Sequence, residues 1–311
     1  MYSNSKLSVA ILGAGAWGAS LANLATANGH RVRVWSRQGS QTLQAVLKDV
    51  QIVLSAISMI GVRDVASQVQ SFPLSPETIF VTATKGLDPQ TTCTPSQIWQ
   101  TIFPNHAVVV LSGPNLSKEI QMELPAATVV ASNIPTAAEV VQLVFSSHRF
   151  RVYTNPDPLG VELGGTLKNV IAIAAGVCDG LHLGTNAKAA LVTRGLTEMV
   201  RIGNDWGAKT ETFYGLSGLG DLLATCNSPL SRNYQVGYQL AGGKSLTQTL
   251  ANLQGTAEGV NTCRVLIQRA KEQNIPVPIT EQVYRLLQGE ITPRQALDEL
   301  MLRDIKPEYN S

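Results

Sequence analysis

Between a short apolar run and a helical pattern the chain carries Gly13-Ala14-Gly15-Ala16-Trp17-Gly18, and this placement restricts the possible folds more than any other feature. Val9-Ala10-Ile11-Leu12 before it reads as a buried strand, while Leu21, Leu24 and Ala25 after it recur at helical spacing until Gly29. A bare G-x-G-x-x-G is common. Set between a strand and a helix it acquires a mechanism: the glycines permit a tight turn, let the backbone approach a pyrophosphate and allow the helix to lie against the strand. The helix N-terminus then faces the anion. An ordinary glycine turn is the competing reading, and it requires no such order of elements.

The next strand, Arg31 to Ser36, ends on Ser36-Arg37 where an acid for a ribose 2′-hydroxyl would normally stand. Arg37 is either a solvated strand-end arginine or a partner for a 2′-phosphate, and the second role favours NADP(H) while leaving NAD(H) possible. The 11 residues from Gln38 to Lys48 leave room for one short helix. Strand-type runs then follow at Ile52–Ile57, Thr78–Ala83, Ala107–Leu111, Ala127–Ala131 and Phe150–Tyr153. Helical segments around Ile60–Gln70, Pro95–Ile102, Leu116–Met122 and Pro135–Phe145 separate them. Alternation of this kind builds a doubly wound α/β sheet, with ligands outside the carboxyl ends of its strands. Two loops at that edge carry chemistry. Thr84-Lys85-Gly86 holds a lysine that is a surface residue or a ligand group, and Gly113-Pro114-Asn115-Leu116-Ser117 exposes backbone N–H groups at a helix start or merely punctuates it.

Two prolines in Tyr153-Thr154-Asn155-Pro156-Asp157-Pro158 break the alternation, and helical periodicity replaces it. Residues 1–155 and 156–311 are the expected domains, two being the norm for a chain of 311 residues. The second reads as all-α, with helices from about Pro158 to Val177, Thr185 to Trp206, Gly218 to Cys226, Ser231 to Leu240, Gly259 to Gln273, Thr280 to Leu287 and Pro293 to Leu302. In the first of these, Lys168 shares a stripe with Gly164, Ile171, Ala172 and Ala175, so a lone ammonium sits on a face of small side chains that something must approach closely. It snorkels to water, pairs with a buried acid or meets a ligand. Gly215-Leu216-Ser217-Gly218-Leu219-Gly220-Asp221 is too glycine-rich for a helix interior and reads as a tight connection delivering Asp221 to a helix start. Ser231-Arg232-Asn233 is either a cap or a phosphate clamp. His182 reads as a loop histidine, and Cys226 shows no neighbour that would activate it.

Composition narrows the partners. A net charge of +2 with 15% charged residues gives no reason to propose nucleic acid. No run of ~20 apolar residues is evident and Met1–Lys6 lacks a leader-type apolar core, so a cytoplasmic protein without membrane insertion is expected. The four cysteines have no C-x-x-C spacing, and no metal is expected. A helical second half of this kind leaves room for a homodimer.

Taken together, the Gly13 to Gly18 loop, Thr84-Lys85-Gly86, Gly113-Pro114-Asn115, Leu167-Lys168-Asn169, Gly215 to Leu222, Ser231-Arg232-Asn233 and Ala257-Glu258-Gly259 closely resemble the NAD(P)-dependent glycerol-3-phosphate dehydrogenase family. The resemblance runs in order from about Leu7 to the C-terminal helices. It implies a Rossmann-type sheet followed by a helical domain like the C-terminal domain of 6-phosphogluconate dehydrogenase, and reversible hydride transfer between NAD(P)H and dihydroxyacetone phosphate giving sn-glycerol 3-phosphate for phospholipid synthesis. It further implies Lys168 as the catalytic acid/base, with Lys85, Gly113, Lys168, Asp221, Ser231, Arg232 and Asn233 on the substrate. Gly13, Gly15, Ala16, Trp17, Gly18, Arg37, Lys85, Ser117, Arg232 and Glu258 correspond to cofactor contacts. The segment Gln38–Lys48 is shorter than the family's usual one, so part of the sheet edge there is missing or rebuilt, and Asn115-Leu116-Ser117 departs from the usual Ser/Thr-Phe-Ala. Two other readings compete: a β-hydroxyacid or sugar-acid dehydrogenase of the same architecture, which has no use for the Ser231 to Asn233 clamp, and a non-catalytic NADPH sensor, which has no use for Lys168.

Overall fold

The computed structural model describes residues 6–253, 255–305 and 307–308; the Met1–Ser5 segment, read above for a leader, lies outside them. Among the described residues seven strands and fifteen α-helices follow in the order β1 (Ser8–Leu12), α1 (Ala16–Ala27), β2 (Arg31–Trp35), α2 (Leu43–Leu47), β3 (Ile52–Ser55), α3 (Val62–Gln70), β4 (Ile79–Thr82), α4 (Pro95–Ile102), β5 (Val108–Ser112), α5 (Ser117–Gln121), β6 (Ala126–Ala131), α6 (Pro135–Phe145), β7 (Phe150–Asn155), α7 (Pro158–Gly180), α8 (Gly184–Asp205), α9 (Thr210–Phe213), α10 (Asp221–Cys226), α11 (Arg232–Ala241), α12 (Leu246–Ala251), α13 (Glu258–Gln273), α14 (Pro278–Gln288) and α15 (Pro293–Met301). A 3₁₀ turn, Met59–Gly61, leads into α3, and a π-helical turn, Leu216–Gly220, leads into α10.

The strands form one sheet in the order β2-β1-β3-β4-β5-β6-β7. Alternate residues of each strand feed opposite faces. Val9 and Ile11 pack with Leu21 of α1 and Val141 of α6, while Ala10 and Leu12 pack with Val46 of α2, Val62 of α3 and Trp99 of α4. The first five strands are parallel, as the alternation of strand and helix predicts. The pairing of β5 with β6 is antiparallel, which the alternation does not predict. The cause is length: α5 has 5 residues and cannot carry the chain back across the sheet, whereas a parallel pair needs a crossover of about a dozen residues or more. β7 then pairs parallel with β6 and completes the edge. At the other edge β2 pairs along its length with β1 and α2 lies in the short Gln38–Lys48 segment, so the edge is rebuilt with one small helix rather than missing.

The helical half is assembled around α7. Asp157 caps its start by accepting from Gly160 N at 2.9 Å, and Asp157 Oδ2 also accepts from Lys209 N and Thr212 Oγ1. By length and composition α7 is apolar enough to cross a bilayer, which the sequence reading overlooked because Glu162 and Lys168 interrupt the run. Yet 94% of that apolar window is buried inside the protein, so its surface is spent on packing. The close approach that its small residues foretell is made by protein. A Cβ at Gly164 would meet Ser217 O at 2.9 Å, and one at Gly176 would strike the backbone of Tyr234 in α11. Gly165 makes room for Ser112 Oγ and the stem of Lys85, so these glycines thin α7 for neighbouring protein groups, not for a ligand. Leu216–Gly220 forms a π turn that starts two residues before the helix expected from Gly218, because Gly218 lies against the backbone of Phe213 where any side chain would clash. Sequence periodicity also passed over α9 and α12, which have 4 and 6 residues.

Candidate active site

Lys168 stands in the middle of α7 with only 6% of its surface exposed. Its ammonium donates to Thr225 Oγ1 at 2.5 Å and lies 3.2 Å from Asp221 Oδ1. Burial pulls the Lys168 pKa down to about 8; the Asp221 carboxylate opposes that pull and the Lys85 ammonium adds to it. Asp221 opens α10 and is 2% exposed. Thr225, one turn on, donates to Asp221 Oδ1 at 3.2 Å, while the second carboxylate oxygen, Oδ2, pairs with Lys85 Nζ. Lys85 reaches there from the loop after β4 and also donates to Gly113 O, at 3.3 Å, just beyond β5. Two ammonium groups therefore share one carboxylate. The cluster carries an excess positive charge at the carboxyl edge of the sheet, an arrangement suited to an oxyanion.

At the other end of that edge the glycine loop turns from β1 into α1. Gly13 has φ +120°, and a Cβ there would lie 2.5 Å from Ala56 O. Gly18 packs against the Gly13 carbonyl, whereas nothing lies within 4 Å of a Cβ built on Gly15. Thus two glycines serve the turn and one leaves an open approach to the α1 N-terminus. No side chain caps that terminus and no acid sits in its first turn, so its N–H groups remain for an anionic ligand, with Ala16 exposed and Trp17 half-buried beside them. These residues fit a dinucleotide. Ser117 adjoins α1 through a hydrogen bond from Ser20 Oγ to its carbonyl, 3.3 Å, and Arg37 is exposed just past β2.

Glu258 and Arg232 connect the two halves of the site. Glu258 Oε1 accepts from Met59 N at 3.2 Å, and burial raises the Glu258 pKa against the opposing effects of that bond and the Arg232 charge. Arg232 is exposed and its guanidinium lies against Gly255, which has φ +95°. Its neighbours in the tripeptide are committed elsewhere. Ser231 caps α11 by accepting from Tyr234 N, while Asn233 donates to Asn169 Oδ1 and accepts from Gly259 N, both at 2.9 Å. His182 lies past the far end of α7, and burial pushes the Cys226 thiol up to about 12.

Against known proteins, the model of the NAD-dependent glycerol-3-phosphate dehydrogenase N-terminus matches residues 8–44 and 38–138, and that of the C-terminus matches residues 157–298. The chain belongs to this family. A glycerol-3-phosphate dehydrogenase (NAD(P)+) of Trichormus variabilis is 83% identical over 97% of this chain and 98% of its own length, and one of Acaryochloris marina is 62% identical over 98% of each. The crystal structure of glycerol-3-phosphate dehydrogenase from Coxiella burnetii superposes with a TM-score of 0.92 at 34% identity, covering 96% of this chain and 99% of that one. The family's N-terminal model matches in two pieces that meet at the shortened segment.

The sequence assigned no site role to Thr225 or to Asn169, although Asn169 stands in the Leu167-Lys168-Asn169 motif. A signal for Thr225 existed, since Asp221 and Thr225 are one turn apart on a helix and so face the same way. Asn169 had a weaker one, because its partner Asn233 is distant in sequence.

Proposed function

We propose that this chain catalyses the reversible NAD(P)H-dependent reduction of dihydroxyacetone phosphate to sn-glycerol 3-phosphate, supplying glycerophospholipid synthesis. The observation that carries the reading is the buried Lys168 ammonium, held by Asp221 and Thr225 with Lys85 across the same carboxylate. The glycine loop and the α1 N-terminus would hold a dinucleotide by its pyrophosphate, and its nicotinamide would supply the hydride. The ammonium of Lys168 gives its proton to the substrate oxygen as negative charge develops there, and Lys85 adds to the field that stabilises that charge. Asp221 keeps the two lysines converged, and a pKa near 8 lets Lys168 act as acid or base around neutral pH. Arg232, exposed in the first turn of α11, is the principal group for the substrate phosphate, with Ser231 and Asn233, both committed to protein partners, shaping its surroundings.

We assign residues 1–155 to nucleotide binding and 156–311 to substrate binding and catalysis, supported by the largely distinct apolar cores of the sheet and the helical half, which meet where Val161 packs with Val110, Val129 and Ala131 and where Leu87 joins the helical core. Gly13, Gly15, Ala16, Trp17, Gly18, Arg37, Ser117 and Glu258 contact the cofactor, and Lys85, Gly113, Lys168 and Asp221 the substrate. The enzyme acts in the cytoplasm on diffusible substrates. Arg37 sets a preference for NADPH. The deciding assay is NADPH consumption by the purified protein on addition of dihydroxyacetone phosphate; no consumption ends the reading. Replacing Arg37 by Ala lowers the ratio of kcat/KM for NADPH over NADH about tenfold, and an unchanged ratio removes Arg37 from cofactor choice.

A further inference from the structure

A second buried carboxyl group lies on α7, outside the cluster around Lys168. Glu162 is 2% exposed. Its Oε1 accepts from Ser96 N at 2.8 Å and its Oε2 from Ser96 Oγ at 2.5 Å, so it grips the first turn of α4, a helix started by the Thr94–Gln97 capping box. One turn along α7, Thr166 Oγ1 accepts from Gly86 N at 3.1 Å. Glu162 and Thr166 are four residues apart and so share a face. Both of their partners belong to the single β4–α4 connection, Ala83 to Thr94 and the start of α4, and that connection also carries Lys85.

We propose that Glu162 is a positioning residue for the reaction: by pinning the β4–α4 connection to α7 it sets the distance at which Lys85 and Lys168 meet across Asp221. The proposal rests on the reading given above for Lys168 and Lys85. Its physical basis is that the two lysines arrive from different halves of the chain, and their shared carboxylate tolerates both only if the backbones beneath are held in register. The β4–α4 connection is anchored to the sheet half by Thr84 Oγ1 on Ile57 O and by the Arg63–Asp88 pair, so its placement against α7 falls to the ties from that helix, in one of which Gly86, at φ +140°, donates its N–H to Thr166. Glu162 supplies the firmer restraint, since two bonds to one residue fix direction as well as distance. Burial lifts the Glu162 carboxyl to about 7, opposed by its bonds from Ser96 and Thr94; either protonation state retains an acceptor for the Ser96 N–H.

Glu162→Ala and Glu162→Gln test this in the full-length protein. In Glu162→Ala, kcat is expected to fall at least 10-fold, while the dissociation constant for NADPH stays within twofold. Glu162→Gln preserves an acceptor for Ser96 N and a polar contact to Ser96 Oγ, and should recover most of the loss. A Glu162→Ala enzyme with wild-type kcat overturns the proposal, whatever its melting temperature. If Glu162→Ala does not fold, Ser96→Ala takes its place: it removes the side-chain half of the grip, and the proposal requires a several-fold fall in kcat with NADPH binding intact, an unchanged kcat overturning it. Amide hydrogen exchange gives a readout that needs no substrate and so stands even if the proposed reaction is wrong. Loss of the pin accelerates exchange at Gly86 as well as at Ser96; acceleration confined to Ser96 shows a local contact and overturns the link to Lys85.

Discussion

Two helix N-termini carry candidate ligand groups, and they are built in opposite ways. That of α1 offers backbone: no side-chain cap, no acid in the first turn, and open space where Gly15 lacks a side chain. That of α11 is occupied by its own side chains, with Ser231 bonded to Tyr234 N and Asn233 bonded to Asn169 and Gly259, leaving Arg232 as the uncommitted group of the tripeptide. Similar-looking polar or glycine-rich helix starts in a sequence can therefore differ in what they leave available. A backbone site recognises its ligand through N–H groups that only a proline removes but a bulky residue can cover, whereas a side-chain site depends on individual residues.

Lys168→Ala leaves both termini intact, so kcat should fall about 10³-fold with NADPH affinity unchanged; a large rise in the cofactor dissociation constant would mean that the lysine serves the α1 end as well. Gly15→Val should weaken NADPH binding on the order of 100-fold by covering the α1 N–H groups, and because its Cβ meets no protein atom the melting temperature should hold. A comparable loss of melting temperature would show Gly15 to be a folding residue. At α11 the paired test is Arg232→Ala against Asn233→Ala. The first should raise the KM for dihydroxyacetone phosphate about 30- to 100-fold with little change in stability. The second should cost about 1–3 kcal/mol in urea unfolding, because Asn169 and Gly259 N lose their partner in a buried place. Interchange of the two outcomes would reverse the assignment of roles at that terminus.

The smallest effect concerns pH. A Lys168 pKa pulled down to about 8 keeps the residue protonated below that value. Reduction of the ketone should then be flat below pH 8 and fall about tenfold per unit above it, while oxidation of the alcohol, which needs the free amine, should rise through the same pH. A profile for reduction that continues level to pH 10 would mean that another group supplies the proton.

Much of this arrangement was legible in the chain because it depends on short-range patterns. The glycine loop announced α1, the small-residue stripe around Lys168 announced close packing, and the double proline after Tyr153 marked the end of the sheet. What escaped depends on contacts distant in sequence. Asn233 looks like a ligand group until Asn169 and Gly259, 64 and 26 residues away, are brought to it. The reversal of β6 was hidden because a five-residue helix and a longer one leave similar traces in periodicity, though only the longer can span the sheet. The π turn before Asp221 was misread because glycines that usually end a helix are here the means of fitting one against Phe213. The small stripe itself was read correctly as a sign of close approach, and the structure shows protein groups making that approach.

The glycine contacts of α7 have a consequence for how such chains can vary. Gly164 lies against Ser217, and Gly176 against Tyr234, with Lys168 between them. A single inserted or deleted residue between these points would rotate everything beyond it by about 100°, driving a side chain into backbone and turning the ammonium away from Asp221. The helix behaves like a key with notches at both ends of its working tooth. Changes in length among related chains should therefore collect outside Pro158–Gly180, as the shortened segment before Asp49 already illustrates.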